Sequence, residues 1–316
     1  MKVYVTQGHQ EGIGLEVFFK TILMMSASEI QNIVLLAFPA SVKKTLQALN
    51  LPFSITDSAL YLAGIEIKTE WLSRVDFSES LTALDLGMKL AESGGVLFTL
   101  PTSKDQFKNS PGHTEYFRQF YHREELGMFF SSPKLQVLLL TDHLPIHSLS
   151  GVITEEMIFK KLSHNLAALD SWNWPTKKIL VSGLNPHAGE KGMIGNEDQR
   201  VTDAIKRLTA KLKFDVSGPY PGDTMLLEQK SPNDLLIYLF HDQGLGVFKG
   251  LQGFIGSNIT LGLPYPRVSP DHGTSFSLFG KNLADYRGCA FSLREAIMLL
   301  KRISHGKNSS HQSTRS

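Results

Sequence analysis

Three histidines of the chain stand in the same context, each in a polar or glycine-containing turn after an apolar, strand-like run. The runs are 135–141, 178–184 and 234–240, and the histidines that follow are His143, His187 and His241. Continuous apolar runs of this length are typical of strands buried on both faces of a parallel sheet, whose carboxyl ends line the ligand crevice. Three imidazoles at one such edge could hold a divalent cation and leave positions open for substrate, as catalytic metal sites require.

The same pattern also has an ordinary interpretation. A single histidine after a strand is more often a hydrogen-bonded loop residue than a metal ligand. The spacings, 44 residues from His143 to His187 and 54 from His187 to His241, fit no compact metal motif. A shared metal centre and three unrelated loop histidines therefore both remain open, because only the fold can bring these residues together.

The elements that would position these residues alternate along the chain. Strand-like runs at 2–6, 32–38, 95–100, 135–141, 178–182 and 234–240 are separated by helical patterns at 14–25, 41–49, 79–93, 154–169, 196–212 and 293–303. This alternation is typical of an α/β fold. Ser41, Ser78 and Thr154 are the expected helix N-caps, because short hydroxyl side chains accept hydrogen bonds from free amides at helix starts.

The composition narrows the possible functions. The chain has 316 residues, 42% hydrophobic and 20% charged, with a formal net charge of +2. This excludes a disordered or fibrous protein and predicts either two domains or one large α/β unit. The small net charge provides no basic field for nucleic acid or a membrane surface, so small-molecule chemistry is favoured. The single cysteine, Cys289, excludes an intramolecular disulfide and is expected to be a small buried residue.

The N-terminal sequence and the length of the apolar segments predict a cytoplasmic protein. The N-terminus reads as a strand followed by a turn, without an apolar segment of signal-peptide length, and no apolar stretch approaches the roughly 20 residues of a membrane span. Residues 305–316 are polar and serine-rich, and they are expected to form a flexible tail.

Two further segments have both a functional and a structural interpretation. The glycine-rich connection 6–16 fits neither the Walker spacing nor Gly-x-Gly-x-x-Gly, so it is either a phosphate cradle or a tight turn. Thr114 is either a simple N-cap or, with His113, faces an anionic group at a helix start. Lys104, just after the strand 95–100, is either a site residue or a solvated lysine.

The segment 240–280 is the densest in polar groups. Lys249, Asn258 and Arg267 are cationic and amide donors suited to a phosphate or carboxylate, and arginine adds bidentate geometry. Each of them alone could also be an ordinary surface residue. A serine hydrolase is disfavoured, because the chain contains no Gly-x-Ser-x-Gly motif.

Collinear motifs over nearly the whole chain resemble the 4-hydroxythreonine-4-phosphate dehydrogenases of pyridoxal phosphate biosynthesis. The most specific are Asn-Pro-His-Ala-Gly-Glu at 185–190 and His-Asp-Gln-Gly at 241–244, and further matches occur at 6–16, 112–115, 141–145, 258–264 and 271–274. The resemblance implies an α/β fold of the isocitrate/isopropylmalate dehydrogenase type, with two α/β/α domains around a cleft. Residues 1–123 with 252–304 would form the first domain, and 124–251 the second, which carries the metal histidines.

The resemblance also implies the roles of individual residues. The metal ligands would be His143, His187 and His241; the substrate contacts would be His113, Thr114, Lys249, Asn258 and Arg267; and the cofactor segment would be Asp271, His272, Gly273 and Thr274. The cofactors would be a divalent metal (zinc, magnesium or cobalt) and NAD or NADP. A homodimer would complete each active site across its interface and share the metal between subunits. For the proton acceptor, Lys104 and Asp242 are the first candidates.

The implied reaction is oxidation of the secondary alcohol of 4-phosphooxy-L-threonine, followed by decarboxylation to 3-amino-2-oxopropyl phosphate. A Lewis acid on the alcohol would favour loss of hydride and later polarise the new carbonyl. The sequence departs from the family at 9–11, at Leu100 and at Asn282. These departures leave two alternatives open: a paralogous dehydrogenase of another phosphorylated hydroxy acid or a cis-dihydrodiol, and a non-catalytic metal- and ligand-binding homologue. A phosphate acyltransferase, another relative by fold, is disfavoured by the three histidines.

Overall fold

The computed structural model describes residues 1–312, with side chains through residue 305, and alternates strands and helices throughout. The strands are β1 Lys2–Thr6, β2 Ile33–Ala37, β3 Phe53–Ile55, β4 Ala59–Leu62, β5 Ile65–Trp71, β6 Gly95–Thr99, β7 Gly127–Ser131, β8 Gln136–Leu139, β9 Lys178–Ser182, β10 Asp215–Tyr220, β11 Leu235–Tyr238, β12 Ser257–Leu261 and β13 Arg267–Pro270. The α-helices are α1 Gly14–Ile22, α2 Ala27–Ile30, α3 Pro39–Ala48, α4 Glu79–Glu92, α5 His113–Tyr121, α6 Leu149–Val152, α7 Glu155–Ser171, α8 Asp198–Lys211, α9 Met225–Glu228, α10 His241–Gln252 and α11 Arg287–Gln312.

The chain forms two compact units. Unit 1 comprises Met1–Arg123 and the chain from Leu263 onward, and unit 2 comprises Glu124–Gly262. In unit 1 the strand order is β13-β6-β1-β2-β5-β4-β3, parallel from β13 to β5 and ending in an antiparallel meander. The strands β2 and β6 are buried at every residue, because helices α4 and α11 pack on this sheet. The predicted α/β architecture is therefore confirmed.

In unit 2 the strands follow the order β10-β9-β11-β8-β7-β12. Its first four strands are parallel, and β7 runs antiparallel to both β8 and β12. Phe130, Leu139, Tyr238 and Phe248 are among the buried side chains that pack between this sheet and α10. The three strands that precede the predicted metal histidines, β8, β11 and β9, are direct parallel neighbours, so their carboxyl ends lie along one edge of the sheet.

The predicted domain boundary at 252 lies too early in the chain. Residues 252–262 belong to unit 2, because β12 pairs antiparallel with β7, with Asn258 opposite Phe130. The chain returns to unit 1 only at Leu263. Strand β12 is not among those predicted from the sequence, and the sequence contains no local signal for the unit to which it belongs.

The predicted helix starts are correct at two positions and wrong at two. Ser78 accepts a hydrogen bond from Leu81 N and Thr154 from Met157 N, as N-caps do. Helix α3 starts earlier than predicted, at Pro39, whose fixed φ suits a first helical position; Ser41 lies inside the helix and donates to Glu79 instead. Helix α5 begins at His113 with Gly112 as its cap, so Thr114 is not the N-cap.

The predicted flexible tail from residue 305 is wrong as far as residue 312, because α11 continues to Gln312. Each residue added to an existing helix gains about one backbone hydrogen bond. Polar composition alone therefore does not end a helix. Residues 313–316 lie outside the described residues. Within the described chain, no helix combines the length and apolarity needed to span a membrane.

Candidate active site

His143 and His241 lie side by side at the carboxyl ends of the neighbouring strands β8 and β11. Their ring centroids are 5.2 Å apart, with ring planes inclined by 43°. His241 is the first residue of α10, and His143 follows β8 in an exposed loop. Two of the three predicted metal ligands are therefore brought together by the parallel pairing of β8 and β11.

His187 lies beyond the end of β9, in the tight turn Pro186–Gly192. Residues 187–191 all adopt left-handed backbone conformations, with φ between 42° and 79°. Its side chain is exposed, and Nδ1 donates to Glu190 Oε1 at 2.6 Å, an interaction that raises the pKa of the imidazole. Among the residues described, no three His, Cys, Asp or Glu side chains are grouped closely enough to hold a metal ion. A single chain thus brings two histidines together, but not the third.

The chemistry of these donors nevertheless fits a divalent cation. His187 Nδ1 is paired with Glu190, and His241 Nδ1 is paired with Asp242 Oδ1 at 2.7 Å. A carboxylate on one ring nitrogen fixes the ring and directs the other nitrogen outward, which is the usual arrangement around metal-bound histidines. Nε2 of His187 and of His241 is thereby the nitrogen positioned for a cation. Glu190 was not singled out from the sequence, although it lies within the 185–190 motif.

Asp198 holds the turn that carries His187. Its buried carboxylate accepts hydrogen bonds from Leu184 N at 2.6 Å, from Asn185 N at 3.2 Å and from Asn185 Nδ2 at 2.9 Å. Left-handed conformations of non-glycine residues are costly and persist where surrounding contacts hold them. Asp198 supplies such contacts at the base of the turn. No sequence signal identified it, because it is the first residue of α8 and resembles an ordinary acidic helix start.

Unit 1 contains a buried arginine among the predicted substrate contacts. Arg267, in β13, donates from Nε and Nη2 to Thr99 Oγ1 at 2.9 and 2.6 Å. Its guanidinium carbon lies 5.7 Å from the centre of the Phe117 ring. Burial lowers the pKa of the guanidinium to about 9, which still leaves it charged at neutral pH. A buried cation fixed at one edge is well suited to bind a carboxylate or phosphate.

His113 lies beside this arginine, at the start of α5. Its ring packs edge-on against Phe107 at 5.0 Å and stacks on Phe117 at 6.3 Å. Burial, and secondarily the charge of Arg267, hold the pKa of His113 well below its usual value. His113 is therefore neutral at physiological pH and can act as a hydrogen-bonding group rather than as a second cation. Thr114 follows it in the first turn of α5 and is half-buried.

The other two predicted substrate contacts belong to unit 2. Lys249 is exposed in the last turn of α10, the helix that begins at His241. Asn258 is half-buried in β12. The five predicted substrate residues are thus divided between the units, with His113, Thr114 and Arg267 in unit 1 and Lys249 and Asn258 in unit 2.

The predicted cofactor segment, Asp271, His272, Gly273 and Thr274, follows β13 in unit 1. It contacts the glycine-rich first loop, since Ile13 N donates to Thr274 O at 3.0 Å. His272 Nδ1 pairs with Gly273 O at 3.1 Å, while its buried Nε2 has no hydrogen-bond partner within the described structure. Burial lowers the pKa of His272, so this nitrogen is a neutral acceptor that suits a donor group of a ligand.

The departures from the family pattern all lie in unit 1, as this segment does. His9 accepts a hydrogen bond from Glu11 N at its Nδ1, and its ring packs against Phe276 at 4.7 Å. The first loop remains tightly closed, because a Cβ on Gly8 would lie only 2.1 Å from Pro101 O. Leu100 is buried, and Asn282 adopts a left-handed conformation with φ of 59°. The departures therefore place different side chains around the first loop, while the loop itself remains closely packed.

The two candidates for the proton acceptor have different surroundings. Lys104 is exposed, in a short 3₁₀ turn of unit 1. Asp242 is exposed in unit 2, and its carboxylate orients the His241 ring. Their assignment as proton acceptors stays a prediction. The buried Cys289 agrees with the structural role expected from the sequence.

Comparisons with known proteins identify the family. The sequence profile of the pyridoxal phosphate biosynthetic protein PdxA family matches residues 17–300. The chain is 32% identical to a 4-hydroxythreonine-4-phosphate dehydrogenase of Sulfurihydrogenibium, over 96% of this chain and 99% of that protein. It is 30% identical to a putative D-threonate 4-phosphate dehydrogenase of Oceanobacillus iheyensis, over 93% of this chain and 96% of that protein.

A solved structure leads to the same family. The crystal structure of a 4-hydroxythreonine-4-phosphate dehydrogenase from Klebsiella pneumoniae superimposes with a TM-score of 0.81 at 27% identity, over 95% of this chain and 98% of that one. The family and the isocitrate/isopropylmalate dehydrogenase-like fold predicted from the motifs are confirmed. The chain belongs to the PdxA family of dehydrogenases of pyridoxal phosphate biosynthesis.

Proposed function

We propose that the protein is a metal-dependent, NAD- or NADP-linked dehydrogenase that oxidises 4-phosphooxy-L-threonine in pyridoxal 5'-phosphate biosynthesis. The secondary alcohol at C3 loses a hydride to the nicotinamide and a proton to the protein. The resulting β-keto acid loses carbon dioxide and yields 3-amino-2-oxopropyl phosphate. The substrate is a small phosphorylated amino acid, and the proposed enzyme works as a cytoplasmic homodimer.

One observation carries this proposal. The three strands β8, β11 and β9 are adjacent and parallel, and a histidine of the family's metal set follows the end of each within three to five residues. The ring centroids of His143 and His241 are already 5.2 Å apart. The family match over residues 17–300 supports assigning these imidazoles to one metal centre. When bound there, a divalent cation such as zinc, magnesium or cobalt supplies a Lewis acid for the alcohol and later for the carbonyl.

The remaining residues recognise and orient the substrate. Arg267 supplies a buried charge for an anionic group, and neutral His113 beside it supplies a hydrogen bond without adding charge. Lys249 and Asn258 supply a cation and an amide from unit 2. Such contacts hold the substrate in a reactive geometry and contribute through orientation rather than through the chemical step. Thr114 in the first turn of α5 contributes a hydroxyl donor.

The nicotinamide cofactor is assigned to the segment from Asp271 to Thr274. The buried, unpartnered Nε2 of His272 supports a ligand at this position, because buried polar atoms normally have a hydrogen-bond partner. The contact of Thr274 with Ile13 places the first loop beside the same segment. The preference for NAD or NADP is to be measured with both cofactors.

A homodimer is proposed from the surface of unit 2. Large apolar side chains are exposed on the segments that carry the metal histidines: Ile146 and Leu144 after His143 at 78% and 39%, and Met193 and Ile194 after His187 at 84% and 40%. Groups of large, exposed apolar side chains such as these four are typical of protein–protein interfaces. We propose that a second copy covers them and that His187 and His241 in one metal site come from different subunits.

A second candidate substrate is D-threonate 4-phosphate, favoured by the name of the Oceanobacillus iheyensis relative. This acid differs from 4-phosphooxy-L-threonine at C2, where a hydroxyl replaces the amino group. The same oxidation and decarboxylation would yield 3-hydroxy-2-oxopropyl phosphate. Arg267 and Lys249 suit the anionic groups that both substrates share, so they do not distinguish the two.

The test is to supply purified, metal-loaded protein with each substrate and with NAD or NADP, and to follow reduced cofactor by absorbance. Reduction with 4-phosphooxy-L-threonine that is lost in chelator and in His187→Ala supports the proposal. Reduction with D-threonate 4-phosphate alone would establish the second candidate. If neither substrate leads to reduction of the cofactor, although the protein is shown to bind metal and ligand, the protein is a non-catalytic homologue.

A further inference from the structure

Gln243 joins the ends of two strands that lead to metal histidines. Its Oε1 accepts hydrogen bonds from Leu239 N at 2.9 Å and from Ser182 Oγ at 3.0 Å, and its Nε2 donates to Gly183 O at 2.9 Å. Leu239 lies two residues before His241, and Gly183 lies four residues before His187. One side-chain amide in the first turn of α10 thus bridges the loops of both histidines.

The bridge begins where the backbone pairing ends. The parallel ladder between β11 and β9 has its last pair at Ile237 and Val181. Each strand runs one residue further, to Tyr238 and to Ser182, and beyond the ladder the Gln243 amide connects the two chain segments. The relative position of the two loops therefore depends on this side chain, because the ladder does not extend that far.

The surroundings of Gln243 are closely packed and specific for an amide. A Cβ on Gly222 would lie 2.6 Å from Nε2, so the turn at Gly222 approaches the amide directly. The partners are an N–H, a hydroxyl and a carbonyl, and a single side chain must both accept and donate to serve them. Glutamate has no N–H to donate and lysine has no acceptor, so glutamine is the residue whose chemistry fits.

The neighbouring loops are connected in a similar way. Glu197, just before α8, accepts from Asn185 Nδ2 at 3.0 Å and from Ser150 Oγ at 2.9 Å. Arg200 donates from Nη1 to Ser150 O at 2.7 Å. These contacts tie the loop of His187 to the segment that follows His143, so Gln243 completes a set of links among all three loops.

We propose that Gln243 is a positioning residue that sets the relative placement of His187 and His241 and thereby the affinity of the site for metal. The inference rests on the metal site of the proposed function. It applies equally if one chain contributes these histidines to two different sites of a dimer, since each site then requires both loops to be correctly placed.

The test compares Gln243→Met with Gln136→Met as a matched control. Methionine keeps the length of the side chain and removes the hydrogen bonds. Gln136 is a buried glutamine of unit 2 whose side chain accepts a hydrogen bond from Trp174 Nε1, at the opposite end of β8 from His143. Cobalt(II) affinity is measured by calorimetry, the cobalt visible spectrum reports coordination, and thermal unfolding of the metal-free proteins reports folding.

Gln243→Met is expected to bind cobalt(II) about 10- to 100-fold more weakly than the unaltered protein, with a changed spectrum, as for other residues that orient metal ligands. Gln136→Met is expected to keep the affinity and the spectrum, even if its unfolding temperature falls. Should Gln243→Met fail to fold, Ser182→Ala removes one of the contacts and is expected to weaken binding to a smaller extent.

The outcomes separate the two proposals. Equal cobalt(II) affinity and an identical spectrum in the unaltered protein and Gln243→Met, or in Ser182→Ala where that variant is used, overturn the positioning role and leave the metal site intact. An equal loss in Gln136→Met also overturns it, because the effect would then be general. Absence of cobalt(II) binding by the unaltered protein overturns the metal site itself.

Discussion

The Thr99 hydroxyl accepts two hydrogen bonds from the Arg267 guanidinium, from Nε at 2.9 Å and Nη2 at 2.6 Å, although the two residues are 168 positions apart in the chain. Both side chains are buried, so this contact fixes the plane of the guanidinium. The guanidinium presents its N–H donors in one plane, so it forms paired hydrogen bonds with an anion only when that plane is correctly oriented. We therefore expect Thr99 to determine the orientation in which Arg267 would meet an anionic group of the proposed substrate.

Thr99→Val is expected to raise KM for the phosphorylated substrate about 10- to 100-fold, with a smaller change in kcat. The physical reason is that a hydrogen bond to a charged group contributes roughly 1.5–3 kcal/mol. Steady-state kinetics measure the effect. Thr45→Val is the control, because its buried hydroxyl donates only within its own helix, to Ser41 O. An unchanged KM in Thr99→Val would remove Thr99 from substrate recognition.

A pH-dependent stability is expected from His113. Its folded-state pKa lies well below the ordinary value of 6.5, so the unfolded chain binds more protons below that pH. Stability therefore falls as the pH drops below about 6.5, with a slope of up to roughly 1.4 kcal/mol per pH unit for one proton. Urea unfolding at pH 7.5, 6.5 and 5.5 is expected to show a weaker decline in His113→Gln.

The control for this measurement is His122→Asn, at the end of the same helix. His122 is exposed and adopts a left-handed conformation, which asparagine tolerates. Its substitution is expected to leave the decline with pH as in the unaltered protein. If His113→Gln declines as steeply as the unaltered protein, another group accounts for the acid sensitivity.

Mixing two inactive variants tests whether the metal site is shared. His187→Ala and His241→Ala are each expected to lose metal-dependent activity. In a mixed dimer, one site recovers both histidines if they come from different subunits, so random association is expected to restore about a quarter of the activity. Co-expression with two affinity tags isolates the mixed dimer for direct assay and metal analysis. No recovery in that dimer would place both histidines in one subunit.

Asp198→Asn is expected to destabilise the protein by roughly 2–4 kcal/mol, because two backbone amides and the Asn185 side chain lose a charged, buried acceptor. Urea unfolding measures the loss. Asp203→Asn, on the exposed face of the same helix, is the control and is expected to change stability by less than about 1 kcal/mol. Equal effects of the two substitutions would show that the turn of His187 does not depend on Asp198.

The sequence was sufficient to predict the strands that precede the candidate metal ligands. All six predicted strands and all six predicted helices are present, because long apolar runs and helical periodicity are local properties. It missed β7, β10, β12, β13 and the meander β3 to β5. Strand β5 alternates exposed residues with buried or half-buried ones, and the chain order of β3, β4 and β5 gives no indication of their antiparallel pairing.

The family motifs in the sequence also named the candidate ligands, since His143, His187 and His241 are each marked by the strand before them. The adjacency of β8, β11 and β9 and the proximity of His143 to His241 are visible only in the folded chain. Within the part of the chain that the structure describes, His187 does not join them in a group of three ligands. The folded chain alone shows that the Gln243 amide is hydrogen-bonded to Ser182 Oγ and Gly183 O, 61 and 60 positions away. Such contacts, like the burial that keeps His113 neutral, depend on chain segments that are distant in sequence, and no local pattern encodes them.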